Sequence, residues 1–206
     1  MVFFHAILIP IVSNRVKPMN LYTQLLSYQP YNDQEESDRS IMLDALLRYD
    51  DLYDRSNLVL HLTASSWITN PDRNQILMIY HNIYHSWAWT GGHADGDRDL
   101  LAVAIREAEE ETGLLSVRPV SDQLFSIETL TVNPHVKRGK YVPAHLHLNV
   151  TYLLEADDHE SLKVKPDENS DVRWFSLEGA VEACSEPWMW PVYRKLNEKL
   201  EALCKN

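Results

Sequence analysis

Cysteine is nearly absent from this chain: two in 206 residues, Cys184 and Cys204. Two thiols make no disulfide framework, which argues against a small cross-linked secreted scaffold and fits a reducing cytoplasm. Cationic side chains are also scarce. Lys and Arg number 19 against 30 Asp and Glu, for a formal net charge of −11. A surface of that sign argues against nucleic acid and anionic membranes as general partners. It leaves a small anionic substrate open, because a bound divalent cation reverses the field locally. Long apolar runs are missing too. Val2 to Val12 is apolar but too short to span a bilayer. It lacks the basic lead and the small-residue cleavage site of a secretion signal. A buried strand, or an upstream start with Met19 as the alternative, is the reading of that stretch. No membrane partner is expected.

What is present fits one domain with extensions, since 45% apolar residues in a chain of this length supply a sizeable core. Residues 18–57 read as helical: Asn32 with Glu35 resembles a capping box, and Met42, Ala45, Leu46 and Tyr49 recur at helical spacing. From Leu58 to Ile68 the period becomes that of a strand. Asn70-Pro71-Asp72-Arg73 is a turn, and Gln75 to His81 is the returning strand. Further strands are expected near Val117, from Leu124 to Val132, from His145 to Glu155 and from Val172 to Phe175. Pro134 to Pro143 reads as a loop, and Asp157 to Asn169 as a polar connection. Helices close the chain over Leu177 to Cys184 and Pro191 to Cys204. Strands and helices mix without regular alternation, so the expected class is α+β: a mixed β-sheet between helices, with residues 1–57 as an N-terminal helical extension and 58–206 as the main domain. The extension is read as a cap on the sheet or as the contact of a homodimer.

The most informative segment runs from Gly91-Gly92 through an acidic helix to Gly113-Leu114. Glu107, Glu110 and Glu111 stand at i, i+3 and i+4 and share one helical face. Carboxylates so close repel one another, and a hard divalent cation that prefers oxygen relieves the repulsion. Leu101, Ala104, Ile105, Ala108 and Thr112 form the adjacent apolar stripe expected to pack on the sheet. Arg106 and Glu110 are an i, i+4 pair, so Arg106 is expected to orient that carboxylate. Gly113 sits where a left-handed helix terminator belongs.

This segment resembles the Nudix box, Gly-x5-Glu-x7-Arg-Glu-U-x-Glu-Glu-x-Gly-U with U apolar. Gly92 takes the first position, and Arg106-Glu107-Ala108-Glu109-Glu110-Glu111-Thr112-Gly113-Leu114 matches the whole second half. Val172-Arg173-Trp174-Phe175-Ser176-Leu177 resembles the strand-to-helix ending of the same family. One position departs: Arg98 stands where the box has its first Glu, flanked by Asp97 and Asp99. The resemblance implies a Nudix-type fold and hydrolysis of a nucleoside diphosphate linked to another moiety, with Mg²⁺ as cofactor and Mn²⁺ as the alternative. It implies Glu107, Glu110 and Glu111 as metal ligands, with the Gly91 carbonyl as a further donor. It implies a general base for which Glu107 and Glu168 are the candidates, Glu168 being read either as that base or as a distal metal ligand.

Other residues are candidates for the substrate. His145, His147, Asn149 and Thr151 alternate with Leu146, Leu148, Val150 and Tyr152, so one strand face is polar and the other apolar. On a pocket wall, His145, His147 and Asn149 would hold a base or phosphates. Zinc is the less favoured occupant there, because no third soft ligand is expected nearby. Trp89 leads into Gly91 and could stack on a nucleobase, although tryptophan more often packs in a core. Lys137, Arg138 and Lys140 form the dense basic cluster of the chain and read as a solvated loop. Arg98 is a candidate phosphate contact. Two rival functions follow: a Nudix-like domain that binds a nucleotide or protein without turnover, motivated by Arg98, and an isomerase of isoprenoid diphosphates. The second needs a protonating group such as Cys, and neither Cys184 nor Cys204 lies near the box.

Overall fold

Two helices open the described chain, α1 (Leu21–Ser27) and α2 (Asp33–Arg48). The structure is a computed structural model that describes residues 20–137 and 139–205. Val2 to Val12, Met19 and Arg138 therefore lie outside the described residues. The helical reading of 18–57 resolves into two short helices with a break between them, because the residue before Pro30 is driven toward extended backbone and Asn32 starts a new helix. The side chain of Asn32 accepts from the Glu35 amide at 3.0 Å. Glu35 does not close the box on Asn32. Its carboxylate instead accepts from the Tyr31 amide and the Tyr28 hydroxyl, both at 2.7 Å.

The sheet begins with β1 (Leu60–Thr69), every residue of which is buried. The turn after it is held by the Asn70 side chain, whose oxygen accepts from the amides of Asn74 and Gln75. There follow β2 (Gln75–His81), β3 (Ser86–Ala88) and β4 (Thr90–His93), then the acidic helix α3 (Leu100–Thr112). Next come β5 (Arg118–Pro119), β6 (Ser126–Val132), and β7 (His135–Lys137) paired with β8 (Lys140–Val142) in a hairpin. This hairpin stands where the sequence predicts a loop over Pro134 to Pro143. The long β9 (His145–Glu155), β10 (Asn169–Ser176), α4 (Leu177–Ala183) and α5 (Trp190–Cys204) complete the chain.

β1 runs parallel to β9 for its whole length, from Leu60 beside Leu146 to Thr69 beside Glu155. Its other edge is shared. Residues 63–66 pair antiparallel with β4, and Ile68 and Thr69 pair with β2. β10 extends the sheet beyond β2, and β5 and β6 line the far edge of β9. The even-numbered residues of β1 and β9 face one core, where Leu62, Ala64, Leu148 and Val150 meet Val103, Ala104 and Ala108 of α3 and Leu25 and Met42 of the N-terminal helices. Trp67 and Leu153 face the other side and pack with Met78, Val181, Tyr193 and Leu196. The mixed sheet thus lies between helices on both faces, an α+β arrangement as the pattern predicts. On α3 the buried stripe is Leu100, Val103, Ala104, Ala108, Glu111 and Thr112, while Leu101 and Ile105 pack at its margin. That rotation from the predicted stripe turns Glu111 inward. Among the described residues no helix is long and apolar enough to cross a membrane.

A buried ionic network ties the N-terminal helices to the rest. The Lys195 ammonium, on α5, lies 3.1 Å from Glu35 of α2 and 3.0 Å from Glu128 of β6. Lys199 reaches Glu35 at 2.9 Å. All three of Glu35, Glu128 and Lys195 are at most 3% exposed. Removing one member strands buried charge, so Lys195→Ala should cost about 3–5 kcal/mol in urea unfolding. Burial pushes the Glu35 carboxyl up, but Lys195 and Lys199 outweigh it and hold it at about 2, below the ordinary 4.5. A depressed carboxylate favours the folded state above its unfolded pKa and loses that advantage as it protonates. The stability gap between the wild type and Glu35→Gln should therefore shrink as the pH falls from 4.5 to 2. A pH-independent gap in unfolding titrations would refute this role.

Candidate active site

The two glycines of β4 let strand and acidic helix approach. A Cβ on Gly92 would stand 2.5 Å from Cδ of Glu107, so only the missing side chain allows that carboxylate to lie on the strand. A Cβ on Gly91 would stand 2.7 Å from the Ala64 carbonyl oxygen, which records how closely β4 packs on β1. The Gly91 amide donates to Oε2 of Glu111 at 3.0 Å. α3 itself is set by its ends. Asp99 caps it, accepting from the Ala102 amide at 3.1 Å, and Gly113 leaves it in the left-handed region at φ 72°.

Burial pushes the Glu111 carboxyl up to about 8; the Gly91 amide opposes the rise, and Glu168 and Glu107 add to it. Glu107 is also raised, first by burial and then by Glu110. These carboxylates pay for one another's charge, which is the condition a cation relieves.

Lys165 stands at the centre of this group and was missed by sequence reading. Its ammonium lies 2.8 Å from Glu110 and 3.0 Å from Glu168. Burial lowers the Lys165 pKa, but the hydrogen bonds to Glu110 and Glu168 outweigh it and hold the group well above its ordinary value. The residue comes from the connection after β9. Its spacing of three from Glu168 was the available signal, but nothing in the sequence brings it to α3. The backbone there is docked on the helix end: the Lys163 amide donates to the Thr112 carbonyl at 2.7 Å, and the Asn169 side chain to the Glu111 carbonyl at 2.9 Å. Arg106 does not pair with Glu110. It contacts Asp97 at 3.4 Å and Glu107 at 3.7 Å, because Lys165 already occupies Glu110.

Glu107, Glu110, Glu111 and Glu168 are therefore brought together beside Gly91, around a single ammonium. Hard carboxylate oxygens in mutual repulsion fit Mg²⁺ or Mn²⁺ in ligand type. The other sequence candidates are dispersed. The Arg98 guanidinium stacks on Tyr53, 4.7 Å from the ring centre. Trp89 packs edge-on against Tyr193 in the core under α5. Asn149 is engaged internally: its oxygen accepts from Thr63 and Ser65, and its amide donates to Glu128 and Thr151, all within 3.1 Å. Lys140 is exposed on the hairpin. His145 and His147 share the polar face of β9, as the alternation predicts, but they are joined there by His61 and His93. The expectation that no further soft ligand lies near them is overturned, since the parallel register sets His61 of β1 directly beside His147.

A family model described as the NUDIX domain matches residues 59–196. An RNA pyrophosphohydrolase of Pelagibacter ubique is 28% identical over 120 residues, which are 57% of this chain and 75% of that protein. The m7GpppN-mRNA hydrolase NUDT17 of Xenopus laevis is 32% identical over 112 residues, 52% of this chain and 36% of that one. Among solved structures, an Ap4A hydrolase of C. elegans in a binary complex superposes with a TM-score of 0.51 at 21% identity, covering 70% of this chain and 97% of that chain. That likeness concerns the fold. With the box, the sheet and the clustered carboxylates in place, this chain belongs to the Nudix family of hydrolases.

Proposed function

We propose that the chain is a Mg²⁺-dependent pyrophosphohydrolase that cleaves the diphosphate of a nucleoside diphosphate linked to another moiety. The observation that carries this reading is the convergence of Glu107, Glu110, Glu111 and Glu168 around Lys165 at the Gly91–Gly92 strand. A diphosphate is shielded from attack by its own charge. Bound Mg²⁺ would neutralise it, acidify a water and stabilise charge developing on the phosphate. Glu107, Glu110 and Glu111 would hold the ion, with the Gly91 carbonyl as a further donor. Glu107 and Glu168 are the carboxylates placed to accept the proton of the attacking water. Arg106, through its contact with Glu107, positions that carboxylate. Lys165 is an ammonium close enough to these groups to pair with a phosphate oxygen once the carboxylates turn to a cation.

No substrate contact is assigned to His145, His147, Arg98 or Trp89: the histidines lie on the sheet face opposite Glu107, Arg98 is stacked on Tyr53 and Trp89 packs against Tyr193. Asn149 would act from behind, by fixing Thr63 and Ser65. The net charge of −11 favours a small nucleotide over a polynucleotide. Relatives named for RNA and for Ap4A set the panel to be tried: ADP-ribose, dinucleoside polyphosphates, nucleotide sugars, modified nucleoside triphosphates and 5′-capped RNA. Free Cys184 and Cys204 fit a cytoplasmic location. Cys184 is packed in the core under α5 and Cys204 is exposed at the end of that helix, so neither supports isomerase chemistry.

Phosphate release across that panel, with Mg²⁺ and with chelator, decides between a hydrolase and a domain that only binds. Metal-dependent turnover is expected; tight binding without turnover on any member would favour the binder. Glu110→Gln should lower kcat by about 10²–10³-fold with the melting temperature unchanged, the scale of losing one preorganised electrostatic contact. An unchanged rate would remove Glu110 from the ligand set. Gly92→Ala should also fold normally yet lose most activity, because the atom it displaces is the flexible end of Glu107. Gly91→Ala meets backbone instead and should lower the melting temperature as well. Equal melting temperatures and equal rates for the two alanine variants would contradict this geometry.

A further inference from the structure

Four histidines from three strands meet on the polar face of the sheet. The parallel register places His61 of β1 beside His147 of β9, and His93 of β4 opposite Thr63. The ring of His61 lies 5.0 Å from that of His93, 4.8 Å from His145 and 5.0 Å from His147. A ring nitrogen from each of His61, His145 and His147 lies within 4.8 Å of the other two.

Their protons can be placed by elimination. Nδ1 of His61 is 2.9 Å from the Asn57 carbonyl, and Nδ1 of His145 is 2.8 Å from the Pro143 carbonyl. A carbonyl only accepts, so both Nδ1 atoms carry the proton and both Nε2 atoms present lone pairs. Nε2 of His61 has no hydrogen-bond partner although the residue is 4% exposed. A buried acceptor left alone is costly, so something absent from the chain itself is called for. Nε2 of His145 lies 3.2 Å from Nε2 of His147. A tetrahedral ion bound at about 2.0–2.1 Å sets its ligand nitrogens about 3.3 Å apart. Two Nδ1 atoms held by backbone carbonyls also match the way metal-bound histidines are oriented.

We propose that His61, His145 and His147 form a second metal site, which takes a borderline divalent transition ion of the zinc class through their imidazole nitrogens. Imidazole suits Zn²⁺, whereas the oxygen-rich α3 site suits Mg²⁺, so the two sites select different ions. The nearest carboxylate in sequence to His93, Asp95, is engaged by Arg55 and leaves the site an all-histidine one. Three protein ligands leave a fourth position open to water or to an anionic ligand. His93 lines that site, packing edge-on against His147. β4 carries both centres: Gly92 faces Glu107, while its neighbour His93 projects to the opposite face of the strand. This site goes beyond the proposed hydrolysis and does not rest on it.

The test is metal content and affinity, independent of turnover. Chelator-stripped protein is titrated with Zn²⁺, the bound ion is counted by elemental analysis after desalting, and Co²⁺ is used as an optical probe. One ion per chain is expected in the wild type and in Glu110→Gln, with the intense visible bands of tetrahedral Co²⁺ and a Zn²⁺-dependent rise in melting temperature. His61→Ala and His147→Asn should each abolish stoichiometric retention. The melting temperature of each metal-free variant reports its folding, and His145→Asn serves where one of the others fails to fold. Three results would overturn the site: no retained Zn²⁺ in the wild type, retention unchanged in the histidine variants, or loss on Glu110→Gln with the weak bands of octahedral Co²⁺.

Discussion

Everything in this molecule is referred to β1, a strand buried on both faces and hydrogen-bonded along both edges. Burial of that kind leaves no backbone group to water, so each must find a partner within the chain. β9 satisfies one edge over ten residues. The other edge is divided between β4 and β2, and that division lets β4 end against α3. The acidic helix is thus positioned by a glycine strand that has β1 on one side and Glu107 on the other. The same parallel pairing aligns His61 with His147 and Thr63 with Asn149. A shift of one residue between β1 and β9 would send these polar side chains into the apolar core.

Charge is handled in two different ways. On α3 the carboxylates crowd one another, and Lys165 and Arg106 pair with Glu110 and Glu107 in partial compensation. A site left short of positive charge is suited to an exchangeable cation. Between α2, β6 and α5 the opposite holds. Glu35 and Glu128 are fully buried, but Lys195 and Lys199 meet them and Asn149 and Thr151 complete the hydrogen bonding. Closed networks of this type hold elements in one arrangement rather than bind ligands. In an acidic chain, the placement of a few lysines therefore separates a structural cluster from a chemical one.

Much of the fold was legible because its signals are local. Alternation of apolar and polar residues marks β9 from His145 to Tyr152, the turn chemistry of Asn70-Pro71 places β2, and Asp99 and Gly113 bound α3. The three glutamates and two glycines of the site likewise fall within one short segment of the sequence, Gly91 to Glu111. Errors arose where a local signal met a competing long-range one. Arg106 has the spacing to pair with Glu110, but Lys165 takes that carboxylate from another loop. Glu35 has the spacing to close a capping box, but buried lysines of α5 draw it inward. The buried stripe of α3 is rotated from the apolar pattern so that Val103 and Glu111 face inward and Leu101 and Ile105 lie at its margin.

The sequence alone determined the α+β class, the family and the acidic helix, since each depends on side chains within a few residues of one another. Only the tertiary structure decided which groups share a space: Lys165 with Glu110 and Glu168, and His61 with His145 and His147. Lys165 reaches Glu110 across 55 positions through a docked loop, and His61 meets His145 and His147 across more than 80 through a parallel strand register. Periodicity carries no information over that distance. Pairing along β1 brings the histidines together, and docking of the loop after β9 on the end of α3 brings Lys165 to Glu110.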